Sequence, residues 1–146
     1  MTATPDRRRQ RLVSCQDPEP ASAAAHTISG LEYLHAMATG ELPSAPIGAL
    51  MGMTGFEVQN GRGLFRAQPG EEHLNPTGTV HGGFAATLLD SALGCAVHTT
   101  LPAGVGYTTI DLNVTSSPRS HPQPAQCSAR APSPTAAGRS PPPTPG

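Results

Sequence analysis

The composition of the chain breaks at Ser116. From there to Gly146 it reads SSPRSHPQPAQCSARAPSPTAAGRSPPPTPG, which holds nine of the 17 prolines and no Leu, Ile, Val, Phe, Met, Asp or Glu. A segment with so little apolar surface cannot offset the entropy lost on ordering it, and proline removes the donors of a sheet ladder. Residues 116–146 are therefore expected to be a disordered Pro/Ser-rich tail that no strand enters. Residues 1–27 are polar and Ala-rich and read as a flexible lead-in. Any core must come from residues 28–115, enough for one domain.

Charge and cysteine usage narrow the function classes. All nine basic residues are Arg and the net charge is −1, so no positive excess exists to hold nucleic acid. The longest mostly apolar stretch, Phe84 to Leu101, carries Asp90 and His98 and does not read as a membrane span. Arg7, Arg8, Arg9 and Arg11 are followed by no apolar run, which excludes a secretory signal, and Asp6, Asp17 and Glu19 argue against a transit peptide. Cys15, Cys95 and Cys127 are odd in number and widely spaced, so they imply neither a disulfide framework nor zinc. His73, His81 and His98 lack a ligand spacing. The expectation is a soluble protein of a reducing, cytoplasmic compartment, without metal or cofactor.

Within 28–115 the hydrophobic pattern changes period. Leu31, Leu34 and Met37 have helical spacing over 28–42, with Ser29 placed as an N-cap and Gly40 as a stop. Pro43 and Pro46 enforce a turn. Residues 49–58 read as a strand with weak alternation, Asn60-Gly61 as a hairpin turn, and Gly63–Gln68 as the returning strand. A long loop leads to a helix over 82–100, which Pro102-Ala-Gly104 ends. Residues 106–115 alternate, with Tyr107, Thr109, Asp111 and Asn113 opposite Thr108, Ile110, Leu112 and Val114, and read as a strand.

The helix 82–100 carries the candidate chemistry. It is apolar almost all round, which predicts burial. It begins His81-Gly82-Gly83. Two glycines are poor helix formers, but they let a ligand approach amides that have no intrahelical partner and lie at the positive end of the helix dipole. That is the geometry of an oxyanion hole. Asp90 follows eight residues after Gly82, with no Lys or Arg within 20 residues of it in sequence. A carboxylate placed on such a helix needs hydrogen-bond donors, and Thr87, Ser91, Thr108 and Thr109 are at hand. Desolvated, it is a good base or nucleophile. Taken singly, each feature has a plainer meaning: a turn at His-Gly-Gly, a satisfied structural acid at Asp90, a loop histidine at His81, a turn former at Asn75 before Pro76.

Taken together, NPTGTVHGGFAATLLDSALGCAV (residues 75–97) resembles the hotdog-fold acyl-CoA thioesterases of the PaaI type. The resemblance extends upstream through SGLEYLHAMATGELPSAPIGALMGM and downstream through LPAGVGYTTIDLNVT, covering about residues 28–115. It implies an α+β hotdog fold, a long central helix wrapped by antiparallel sheet, assembled as a homodimer or homotetramer. It implies an acyl-CoA substrate cleaved by water to a carboxylic acid and CoA. The roles it carries are polarisation of the thioester carbonyl by the Gly82 N–H and attack or general base catalysis by Asp90 from the other subunit. Asn75 would orient the thioester or the water, Thr109 would place the water, and His81 would shape the loop beside the carbonyl.

The resemblance stops after Thr115, so the implied fold is truncated after the strand 106–115. Loss of one nucleotide near codon 116 accounts for this: Ser from a TCN codon then stands where Phe, Leu, Ile or Val stood, and Cys127 where Leu, Met or Val stood. The C-terminal part is thus expected to be a frameshifted tail in place of the later strands. A helix left half covered and a strand left as an open edge would make the chain unstable or inactive as written. Two other readings stay open on the residues alone: a non-catalytic acyl-CoA-binding or interaction module, and a non-functional truncated product.

Overall fold

A computed structural model of the chain describes residues 8–115 and the backbone of residues 125–130. The expected tail at 116–124 and 131–146 lies outside the described residues. Within the lead-in, Glu19–Ala24 forms a short helix, α1, which buries Ala21. A short helix thus stands inside the stretch read as a flexible lead-in. Pro18 and Pro20 fall at the one end of a helix that tolerates them, and alanines follow.

Helix α2 spans Gly30–Thr39. Ser29 caps it as expected: its hydroxyl accepts from the Glu32 N–H while the Glu32 carboxylate accepts from the Ser29 N–H, a reciprocal capping box. The Ser29 hydroxyl, which donates to the Glu32 carboxylate at 2.6 Å, and then the Ser29 N–H hold the Glu32 carboxyl below its ordinary range. Gly40 ends the helix at φ 82°, in the left-handed region that favours glycine. Pro46–Leu50 forms α3, with proline in its first turn. The strand expected over 49–58 therefore starts later, as β1, Met53–Gln59.

The hairpin is where the sequence places it. β1 pairs antiparallel with β2, Arg62–Ala67, and Gln59 faces Arg62 across Asn60-Gly61. Gly61 takes φ 72° while Asn60 stays at negative φ, so the turn is not the doubly left-handed type that Asn-Gly usually serves. Phe56 and Phe65 face each other and stack at 5.1 Å. β2 alternates cleanly: Gly63, Phe65 and Ala67 are buried, while Arg66 pairs with Glu57 on the exposed face.

Two expectations about the sheet are corrected. Residues 106–115 pair with no described strand, and all of them but the half-buried Leu112 are exposed. Alternation specifies an extended chain, but a ladder also needs a free partner edge. The edge of β2 is taken by β3, Ala125–Arg130, antiparallel from Arg62↔Arg130 to Ala67↔Ala125. Thus a strand does form inside the region expected to exclude one, and the sheet continues past Thr115 in the order β1-β2-β3. The physical reason is local: Ala125–Arg130 is a proline-free window between Pro124 and Pro132, so every one of its ladder donors is present.

Helix α4, Gly82–His98, lies across β2 and β3, and α2 packs against β1. Its buried stripe is Phe84, Leu88, Ala92 and Ala96, four residues apart, and it meets Phe65 and Ala67 of β2. Small side chains permit the close approach. A Cβ at Gly63 would stand 2.7 Å from the Ala92 carbonyl oxygen. Leu93 on the other side of α4 is 39% exposed, so the helix is covered on one side rather than all round. A second cluster, Leu34, Met37 and Val58, joins the first through Phe56 and Cys95. Burial pushes the Cys95 thiol up to about 11.

Candidate active site at the start of the long helix

The first turn of α4 is built by His81. Its backbone is extended, at φ −64° and ψ 139°, and its Nδ1 accepts from the Gly83 N–H at 2.9 Å. The Phe84 N–H is bonded to the His81 carbonyl at 3.0 Å. This refines the expectation of several bare amides. Of the two glycine N–H groups, Gly83's is capped and Gly82's has no partner among the described residues. Space beside Gly82 is open, since a Cβ there would meet nothing within 4 Å. One exposed donor therefore points outward at the positive end of a 17-residue helix.

Asn75 sits in the loop that delivers His81. Its Oδ1 accepts from Thr77 N, Thr77 Oγ1 and Thr79 N, and its Nδ2 donates to Thr79 Oγ1 at 2.7 Å. Leu74 and Val80 bridge across this turn, and His73 O receives the His81 N–H at 2.8 Å. Asn75 thus shapes the loop, and its carboxamide is not directed at Gly82 or Asp90.

Asp90 is half-buried on α4, and Thr109 Oγ1 donates to its Oδ1 at 2.8 Å. Of the four donors the sequence offered, Thr109 is the one that reaches it. Thr87 and Ser91 donate back to helix carbonyls, Gly83 O and Thr87 O, at 2.9 Å each. Beside Asp90 opens a cleft of about 880 Å³ between α4, α2, α3 and β1, with Leu34, Met37, Ile47, Met53 and Phe56 among its walls. Cys95, His98, Tyr33 and Tyr107 also line it. Sequence reasoning gave these four no part in a site. For His98 the signal was its i, i+4 spacing from Gly94 and Asp90; Tyr33, Cys95 and Tyr107 had none in the sequence.

The structure brings together Asp90 and Thr109, and separately His81, Gly82 and the Asn75 loop. It does not join the two groups within one chain. Eight helical residues advance about 12 Å along the axis, too far for a carboxylate to reach an atom held at Gly82 of the same helix. Among the described residues no three His, Cys, Asp or Glu side chains converge as a metal site, and no helix is long and apolar enough to cross a membrane.

A long helix on antiparallel sheet, with an open N-terminus and an acid two turns on, has the architecture of a partial hotdog fold. Residues 77–115 match the family model described as Thioesterase superfamily, and they contain Gly82, Asp90 and Thr109. Comparison with curated proteins and with solved structures gives no match.

Proposed function

We propose that this protein is an acyl-CoA thioesterase of the PaaI type, cleaving a thioester to a carboxylic acid and CoA. The observation that carries the reading is the unpartnered Gly82 N–H on the same helix as Asp90, both within the stretch that matches the thioesterase family. The carbonyl oxygen accepts from Gly82, and the helix dipole favours the negative charge that develops there. His81 supports this by occupying the neighbouring donor at Gly83. Asp90 either attacks the carbonyl carbon, expelling CoA as its thiolate and leaving an acyl–Asp90 anhydride that water hydrolyses to the acid, or takes a proton from a water that attacks the carbon, the C–S bond breaking as the CoA thiolate leaves and is protonated. Thr109 fixes the rotamer of Asp90 and places the water. The separation of about 12 Å favours Asp90 of one subunit acting on a carbonyl at Gly82 of another, in a homodimer or homotetramer. The cleft beside Asp90 has room and apolar walls for an acyl group. The cytoplasm, where acyl-CoA is made and consumed, is the matching compartment.

The test is release of CoA from a panel of acyl-CoA thioesters of different chain length, followed with a thiol reagent. Asp90→Asn is expected to lower kcat by about 10²–10⁴-fold while the fold is retained. No release from any thioester by the unaltered chain would refute the reading. Binding without turnover, equal in the Asp90→Asn variant, would establish the acyl-binding module in its place.

A further inference from the structure

Among the described residues, the Thr109–Asp90 bond is the one hydrogen bond joining residues 106–115 to the rest of the chain. A single such bond, to a carboxylate, shifts an equilibrium by about ten- to a hundredfold, less than the cost of ordering several residues. A second tether is Tyr107. Its ring meets His98 edge-on, with centroids 5.6 Å apart at 63°. His98 is stacked in turn on Tyr33 of α2 at 5.3 Å. The phenol end of Tyr107 lies in the notch left by Gly94: a Cβ there would be 3.0 Å from Cε2 and Cζ and would collide with Oη.

The spacings agree. Asp90, Gly94 and His98 form one stripe of α4, advancing about 6 Å per step of four residues. Tyr107 and Thr109 lie on one side of an extended chain, about 6.6 Å apart. With Tyr107 over Gly94 and His98, the segment runs antiparallel to the helix and Thr109 falls over Asp90. We propose that Tyr107 is a positioning residue: docked on Gly94 and His98, it holds this segment in the register that delivers the Thr109 hydroxyl to Asp90. The proposal rests on the thioesterase reading for its effect on rate, but its geometry can be tested without activity.

The experiment is a double-mutant cycle on kcat and KM for acyl-CoA hydrolysis, joined to NMR of threonine methyl groups, with Thr109 assigned through Thr109→Val. Tyr107→Ala is expected to lower kcat about tenfold, the scale of one lost hydrogen bond, with KM nearly unchanged. Tyr107→Phe keeps the ring and is expected to stay within about twofold of the unaltered protein. Gly94→Ala raises helix propensity yet displaces the phenol, so it is expected to reproduce the loss in a chain whose helix is intact. Adding Tyr107→Ala to Thr109→Val is expected to cost nothing further. The Thr109 methyl signal is expected to move in Tyr107→Ala and Gly94→Ala and to stay in Tyr107→Phe. Additive losses, an effect confined to KM, or a Thr109 signal unmoved in Tyr107→Ala each overturn the proposal. If the unaltered chain turns over no thioester while the signal still follows Tyr107, the thioesterase reading fails and the positioning of Thr109 stands.

Discussion

Thr99 ties the hairpin to the end of α4, and replacing it with Val measures that tie. Thr99 is 5% exposed. Its Oγ1 accepts from the Gly61 N–H at 2.8 Å and donates to the Ala96 carbonyl at 2.7 Å. Val has nearly the same shape, so the substitution opens no cavity and adds no bulk. It removes both hydrogen bonds and leaves two backbone groups to find other partners. Each bond contributes about 1 kcal/mol net, more where the orphaned group stays dry. Gly61 is half-buried, so water recovers part of its loss. The expected destabilisation is about 2 kcal/mol, a fall in Tm on the order of 10 °C for a domain of this size. Thermal unfolding followed by far-ultraviolet circular dichroism reads it, with Thr99→Ser, which retains the hydroxyl, as the control. A Thr99→Val protein melting within about 2 °C of the unaltered one would show that the hydroxyl contributes nothing and that helix–sheet packing alone holds the hairpin.

Further outcomes follow from the same geometry. Gly82 is the first residue of α4, and His81 before it is already extended. Gly82→Pro should therefore keep the helix but delete the open N–H, lowering kcat for thioester hydrolysis about 10²–10³-fold with Tm unchanged or raised; full activity would remove Gly82 from the mechanism. Gly63→Ala forces a methyl against the Ala92 carbonyl and should cost about 1–3 kcal/mol in denaturant unfolding; a neutral result would mean that the helix is free to lift from β2. Burial lowers the pKa of His98 from the ordinary histidine value. Between its folded and unfolded values the unfolded chain binds more protons, so stability is full above about pH 6.5 and declines as pH falls through that window. His98→Gln should flatten the decline in a series of melts from pH 7 to 5, and an unaltered slope would assign it to other groups.

Local signals were legible wherever one residue type answers one backbone need. Ser29 and Gly40 bound α2, Asn60-Gly61 turns the hairpin, and the apolar run from Phe84 onward forms α4. The place of His81-Gly82-Gly83 at the start of α4 and of Asp90 two turns on was legible too, because both lie on one helix. Lone side-chain roles were less so. Nothing in the order of residues says that His81 Nδ1 takes the Gly83 amide and leaves Gly82's open, or that Asn75 turns its carboxamide to Thr77 and Thr79.

The sequence by itself determined the central helix, the hairpin and the order of His81, Gly82 and Asp90 along that helix, because caps, turns and hydrophobic period act over a few neighbouring residues. Tertiary structure decided which strand completes the sheet and which donor reaches Asp90. Residues 106–115 have the alternation of a strand but no ladder, while Ala125–Arg130, poor in apolar side chains, pairs along the whole of β2. The partner of a strand depends on which edge of the sheet is free. Thr109, rather than Thr87 or Ser91, meets Asp90 because an extended segment is laid along α4 at a matching step. Both outcomes depend on contacts between residues distant in the chain, and local pattern carries no record of them.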